Sequence, residues 1–240
     1  MSGHSKWATI KRKKAATDAA RGKVFTKIIK EITISARQGG GDPAGNPRLR
    51  LAILNAKSNN MPQDNITRAI KKGTGELEGV RYEEINYEAY APHGIATIIE
   101  CVTDNRNRTV AELRHLISKN NGNMGETGSV SWMFTRKGVI LLEKANHTED
   151  EVMEVILDAG VEDLKEEDLY FEVTTTIENF EKVRKALEDK EYKIDTASIQ
   201  YVAKDLVSLD EKNSADIIKF IEAIEDNDDV QNVYTNADLV

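Results

Sequence analysis

From Asp18 to Gln38 the apolar residues Val24, Phe25, Ile28, Ile29 and Ile32 return every three or four positions, while Lys23, Lys27 and Lys30 follow one another along a different side. That period predicts an amphipathic helix with a buried stripe and a cationic face. The helix is expected to stop at Gly39, Gly40 and Gly41, with "GDPAGNP" as the following loop. Asn46 then suits an N-cap and Pro47 a first helical turn, opening "RLRLAILNAKSNN"; Pro62 opens a third helix through Ile66, Ala69 and Ile70 to a C-capping Gly73. The preceding "SKWATIKRKK" lacks an apolar stripe able to fix it, so an arm that orders on a partner is expected there.

Beyond residue 76 the period changes from helical to alternating. "RYEEINYEAYAP" and "GIATIIECVTDN" read as a hairpin around "APHG", and "RNRTVAELRHLISKNNG" carries Val110, Leu113, Leu116 and Ile117 at helical spacing. A short strand, "SVSWMF", is expected next. A βαββαβ pattern follows: a strand from Val139 to Glu143, a helix from Thr148 to Ala159, strands through Leu164 and Tyr170, a helix from Thr176 to Lys190, and a strand from Ile194 to Ala203. Thr148 with Glu151 and Thr175 with Glu178 have capping-box spacing at the two helix starts. The tail supplies one more helix and strand, which would complete the interrupted middle sheet. The expected fold class is α+β: a three-helix domain followed by two ferredoxin-like α/β domains, the third inserted into the second. The boundaries are 1–75, then 76–137 with 204–240, and 138–203 for the insert.

Charge separates these units sharply. The chain has 240 residues and a formal net charge of −8, yet residues 1–75 hold 16 Lys and Arg against 4 Asp and Glu, whereas residues 149–240 hold 9 against 27. A basic head on an acidic body attracts a polyanion in one orientation and disfavours the others. The candidate phosphate-contacting cations are Lys6, Lys11, Arg12, Lys13 and Lys14 on the arm, continuing through Arg21, Lys23, Lys27 and Lys30 onto the first helix. Such density gives affinity for a backbone without reading its sequence; the alternative is a solvated face. Trp7, among these cations, either stacks on an unpaired base or buries its ring to fasten the arm. His4 is a secondary candidate beside it. Arg106 and Arg108 flank a helix start: they would help hold a phosphate there, or pair with acids while Asn107 caps the helix.

Other chemistry finds less support. The single cysteine, Cys101, lies in an apolar stretch, which excludes an internal disulfide and suits a buried thiol. No run of some 18 apolar residues occurs, so no membrane span is expected and the protein is placed in the cytoplasm. His4, His93, His115 and His147 lack ligands at metal-site spacing, and "NNGNMGETGS" lacks a P-loop pattern, leaving at most a mobile contact loop. No metal, cofactor, small-molecule substrate or catalytic set is expected; a nuclease built on the acidic domains is the least favoured reading.

The stretches "GHSKWATIKRKK", "GKVFTKIIKEI", "NPRLRLAI", "NMPQDNITRAIKKGTGE", "YEAYAPHG", "TDNRNRT", "GETGSVSWMFTRKG" and "DAGVED" closely resemble, in order, the signature stretches of the YebC/PmpR family. The resemblance spans nearly the whole chain. It implies a helical first domain with two α/β domains, and control of gene expression through nucleic acid. Bacterial members are described as transcriptional regulators, which implies a DNA-binding protein. Mitochondrial relatives act as translational activators of cytochrome c oxidase, which implies the alternative of a ribosome-associated factor on ribosomal RNA.

Overall fold

A computed structural model describes residues 18–145, 147–167 and 169–239, and side chains from residue 22 onward. Three helices come first: α1 (Asp18–Gly39), α2 (Pro47–Ser58) and α3 (Gln63–Thr74). Next are β1 (Glu83–Ala91), β2 (Ile95–Thr103), α4 (Arg106–Lys119) and β3 (Asn123–Met124). The chain then makes β4 (Phe134–Glu143), α5 (Glu149–Ile156), β5 (Val161–Glu166), β6 (Tyr170–Thr175), α6 (Phe180–Asp189) and β7 (Ile194–Ala203). It closes with β8 (Val207–Ser208), α7 (Glu211–Glu225), β9 (Val230–Thr235) and β10 (Ala237–Asp238).

The apolar stripe of α1 meets α2 and α3 in one core of Ile28, Ile32, Ala36, Leu49, Ala52, Ala56, Met61, Ile66 and Ala69. Asn46 acts as the expected N-cap. Its side-chain oxygen accepts from the Leu49 amide at 3.1 Å, and its Nδ2 donates to the Ser35 and Gly40 carbonyls at 2.8 Å, tying the start of α2 to the end of α1. The end of α3 differs from expectation. The left-handed C-cap is Gly75, and Gly73 lies buried inside the helix, where a Cβ would sit 2.4 Å from the Thr33 carbonyl oxygen of α1. Gly73 is therefore a contact glycine that lets two helices approach, and the chain terminates α3 two residues later.

In the first sheet the order is β3-β1-β2-β9, with antiparallel neighbours, so the strand near the C-terminus lies against the hairpin from the middle of the chain. Alternation along β2 sends Ile95, Ile99 and Cys101 into a core with Leu113 and Ile117 of α4 and Ile217, Phe220 and Ile221 of α7. It sends Ala96 and Ile98 the other way, against Phe134, Tyr234 and the edge of Tyr201. That second face joins the two sheets.

The second sheet runs β5-β6-β4-β7, wholly antiparallel, and packs one face on α5 and α6 through Ile140, Leu142, Phe171, Val173, Val152, Ile156, Val183 and Leu187. This is the ferredoxin-like strand order. The first sheet places its hairpin at the centre instead, so the two layers share an architecture and differ in order. Two local expectations are corrected. "SVSWMF" is not a separate strand: Ser131–Met133 is a short 3₁₀ turn, and Phe134 begins a single ten-residue strand. The cause is Glu88, whose buried carboxylate accepts the amides of Gly128 and Val130 at 2.7 Å and of Ser131 at 2.8 Å, curling this segment before β4. Burial would raise the Glu88 pKa, but these backbone donors bring it below the usual carboxylate value. The Thr148–Glu151 capping box forms, whereas α6 starts after Asn179, whose amide is received by Thr176 rather than by a Thr175–Glu178 box.

Replacing Gly73 by Ala forces a methyl against the α1 backbone. The expected cost is roughly 1–3 kcal/mol of stability, the usual penalty for overpacking, seen as a lower urea midpoint with an unchanged slope. A midpoint equal to that of the parent chain would contradict the close approach of α1 and α3.

Candidate nucleic-acid interface

Lys23, Lys27 and Lys30 do share one side of α1, but that side faces the acidic turn after α7. Lys23 pairs with the Asp226 carboxylate and donates to its carbonyl at 3.3 Å; Lys27 donates to the Glu225 carbonyl at 2.7 Å. No basic residue stands in the last turn of α7, whose terminal carbonyls lack helical partners, so lysines from another helix supply the cations that such an end favours. Lys30 goes deeper. With 6% of its surface exposed, it donates to Asp229 Oδ1 at 2.7 Å, the Asp228 carbonyl at 2.8 Å and the Val102 carbonyl at 3.2 Å.

Asp229 gathers the other side of this junction. Its Oδ2 accepts from Thr109 at 2.7 Å, Arg108 at 2.8 Å and Thr103 at 3.1 Å, and its backbone carbonyl accepts from the Val102 amide at 2.8 Å. Burial pushes the Asp229 pKa up. The bonds from Arg108, Lys30 and Thr109, together with the Lys30 charge, outweigh that and hold it at about 2. A second junction lies one side further round the head. Arg48 of α2 forks onto Glu31 at 2.7 and 3.0 Å, and also pairs with Glu84 of β1. Arg37 donates to the Tyr82 carbonyl, and Arg50 of α2 lies 3.7 Å from Glu181 of α6.

The candidates from sequence thus separate. His4, Lys6, Trp7, Lys11, Arg12, Lys13 and Lys14 lie outside the described residues, as does the Arg21 side chain. Lys30 is corrected from a surface contact to an internal one, because its ammonium is enclosed by Asp229 and two carbonyls. Lys23 and Lys27 are engaged at the same turn, Lys23 keeping more of its surface in solvent. Asn105, not Asn107, caps α4 by accepting the Arg108 amide at 3.1 Å. Arg108 pairs with Asp104 and Asp229, both at 2.8 Å, which favours the acid-pairing alternative over a phosphate there; Arg106 stays exposed. In the Gly-rich stretch, the Gly128 amide is held by the Glu88 carboxylate at 2.7 Å and the Gly125 amide by the Glu88 carbonyl at 2.8 Å, so neither is open to a phosphate.

The sequence reading passed over four exposed cations of the head: Lys57 at the end of α2, and Arg68, Lys71 and Lys72 on α3. None makes an ion pair among the described residues. The signal of the three on α3 was the spacing i, i+3, i+4 opposite Ile66, Ala69 and Gly73, which a search for the densest run of charge overlooks. It also passed over Trp132, 64% exposed, whose indole donates to the Ser129 carbonyl at 3.1 Å while its own carbonyl accepts from Lys204 at 2.7 Å. Among the described residues no three His, Cys, Asp or Glu side chains converge as a metal site, and no helix is long and apolar enough to cross a membrane. Cys101 is buried, and its burial pushes the thiol up to about 12.

Residues 5–76 match the family model described as the TACO1/YebC protein N-terminal domain, and residues 82–237 match that of the TACO1/YebC second and third domain. The chain belongs to the TACO1/YebC family. Relatives named "Probable transcriptional regulatory protein" in Pelodictyon phaeoclathratiforme (strain DSM 5477 / BU-1) and Chlorobium chlorochromatii (strain CaD3) are 58% identical over 240 residues, covering all of this chain and 96% of each relative. A crystal structure titled as a conserved hypothetical protein, Aq1575, from Aquifex aeolicus superposes with a TM-score of 0.87 at 43% identity, over 95% of this chain and 94% of that one. The helical head and two sheet-containing parts are thus the TACO1/YebC architecture, and the Lys30–Asp229 junction connects the head to the first of those parts in this member.

Changing Asp229 to Asn leaves the Lys30 ammonium buried without its counter-charge. The expected loss is roughly 3–5 kcal/mol at pH 7, read from urea denaturation. Because the folded pKa is depressed from 3.8 to about 2, the contribution is complete above the unfolded value and fades as pH falls towards the folded one. The gap between variant and parent should therefore be smaller at pH 3 than at pH 7. A gap independent of pH would show that the charge of Asp229 is not what holds the junction.

Proposed function

We propose that the protein is a non-catalytic, DNA-binding regulator of transcription whose basic head docks on the nucleic-acid backbone. The observation that carries this reading is the partition of charge: the head has a large excess of cations, and the rest of the chain is acidic. The name carried by relatives at 58% identity over the full chain supports regulation of transcription as the process. In this reading residues 1–75 bind, while residues 76–137 with 204–240, and the insert 138–203, orient the head and meet the rest of the assembly in the cytoplasm.

The arm residues Lys6, Lys11, Arg12, Lys13 and Lys14, with Arg21 and the outer part of Lys23, remain the proposed contacts, and Trp7 and His4 accompany them. Lys27 and Lys30 act in this reading as the fastening behind that surface. The non-catalytic part is supported by how two of the buried acids are used, Glu88 by backbone amides and Asp229 by Lys30 and Arg108; the half-buried Glu100 is likewise held by Asn232 and Tyr234.

The test is competition between genomic duplex fragments and ribosomes for the purified chain at about 0.15 M salt, where exposed charges more than about 8 Å apart are screened. A parallel variant carries Lys11, Arg12, Lys13 and Lys14 changed to Glu. Retention on particular duplex fragments, lost in the variant, is the expected result. Retention on ribosomes in preference to duplex would instead make the protein a translation factor, and binding unchanged by the four substitutions would remove the arm from the site.

A further inference from the structure

We infer that the outer face of α3 is a second contact for the DNA backbone, with Arg68, Lys71 and Lys72 as its phosphate ligands. The inference rests on the nucleic-acid reading above and locates a surface within it. On α3 the buried residues Ile66, Ala69 and Gly73 fix which side turns inward, and Arg68 and Lys71 then point directly away from it, with Lys72 beside them. All three are exposed, and among the described residues no acid pairs with them. Asp64 is the single acid of the helix, against these three bases.

The cations of the neighbouring helices are in a different position. Lys23, Lys27, Lys30, Arg37, Arg48 and Arg50 all contact the sheets or their helices. Thr33 and Ala36, the α1 residues against Gly73, lie on another side of α1 from Lys23, Lys27 and Lys30. The α3 face is consequently turned away from the acidic turn that takes up those lysines. The helix is also held rigidly, through Gly73 against the α1 backbone and through the shared core. Arg68 and Lys72 are separated by about 6 Å along the axis, from the helical rise, so long side chains there reach successive phosphates. The helix has no aromatic residue on which an unpaired base would stack, which favours a duplex backbone over a single strand.

The experiment measures binding of the full chain to a mixed-sequence DNA duplex and to an RNA hairpin of similar length, as log affinity against log salt. Three proteins are compared: the parent, Arg68→Gln/Lys71→Gln/Lys72→Gln, and Arg68→Lys/Lys71→Arg/Lys72→Arg. Loss of three backbone contacts should make the DNA slope shallower by roughly 2.7 and weaken binding on the order of a hundredfold at 0.1 M salt, and the charge-keeping variant should restore both. Cations in a last helical turn also favour the helix dipole, so the glutamine variant is melted alongside; a purely structural role would lower its Tm and leave the salt slope intact. A DNA slope unchanged in the glutamine variant but reduced by the four arm substitutions would overturn the α3 site and leave the nucleic-acid reading standing. A loss seen on RNA alone would overturn the DNA assignment, and a parent chain that binds neither probe would overturn both readings.

Discussion

The contact between Lys30 and Asp229 decides how the head sits on the body. Each partner is nearly enclosed, and neither is left with its charge alone: Lys30 has two carbonyls besides the carboxylate, and Asp229 has two hydroxyls and Arg108. A buried ion pair contributes modest net stability relative to well-packed apolar side chains, yet separating it costs several kcal/mol. Its consequence here is positional. One carboxylate collects a helix of the head, the end of β2 and the start of α4, so the α1 axis cannot slide or rotate without exposing an uncompensated charge in a poorly solvated site.

That constraint also changes what the basic head means. Thirty-three Lys and Arg against forty-one Asp and Glu describe the chain, but the regional excess that suggests a polyanion partner includes cations already answered by acids of the same molecule. Net charge governs the field felt at a distance, which is summed over all residues. Contact at a phosphate instead requires a side chain that has solvent around it and no closer anion. Lys23, Lys27 and Lys30 contribute to the first while being constrained in the second, and among the described residues the α3 cations meet both conditions.

Much of the fold was legible because it is written in local periods. Val24 to Ile32 announces α1, Asn46 and Pro47 announce α2, and the βαββαβ run with its Thr148 capping box announces the second sheet. Errors arose where a distant group overrides local preference. "SVSWMF" has strand composition, but Glu88, some forty residues earlier, draws its backbone amides into a turn. Gly73 looks like a helix stop until α1 is placed beside it. The Lys30 assignment failed for the same reason: its partner is 199 residues away, and no spacing in one sequence links a lysine in a helical head to an aspartate beyond α7.

The same separation explains why a second face, rather than the most cationic face, becomes available for an external backbone. A helix in a three-helix unit has one side for its neighbours and must present the rest to solvent or to another part of the chain. In α1 the lysine side covers the carbonyl end of α7, where cations are favourable by the helix dipole, and the acids in that turn add to the attraction. In α3 the inward side is satisfied by Ile66, Ala69 and Gly73, and the opposite side pairs with no acid among the described residues. The acidic body therefore has a positional part: by taking up the cations of one helix it orients the head, and it leaves those of another turned outward, with no ion-pair partner among the described residues.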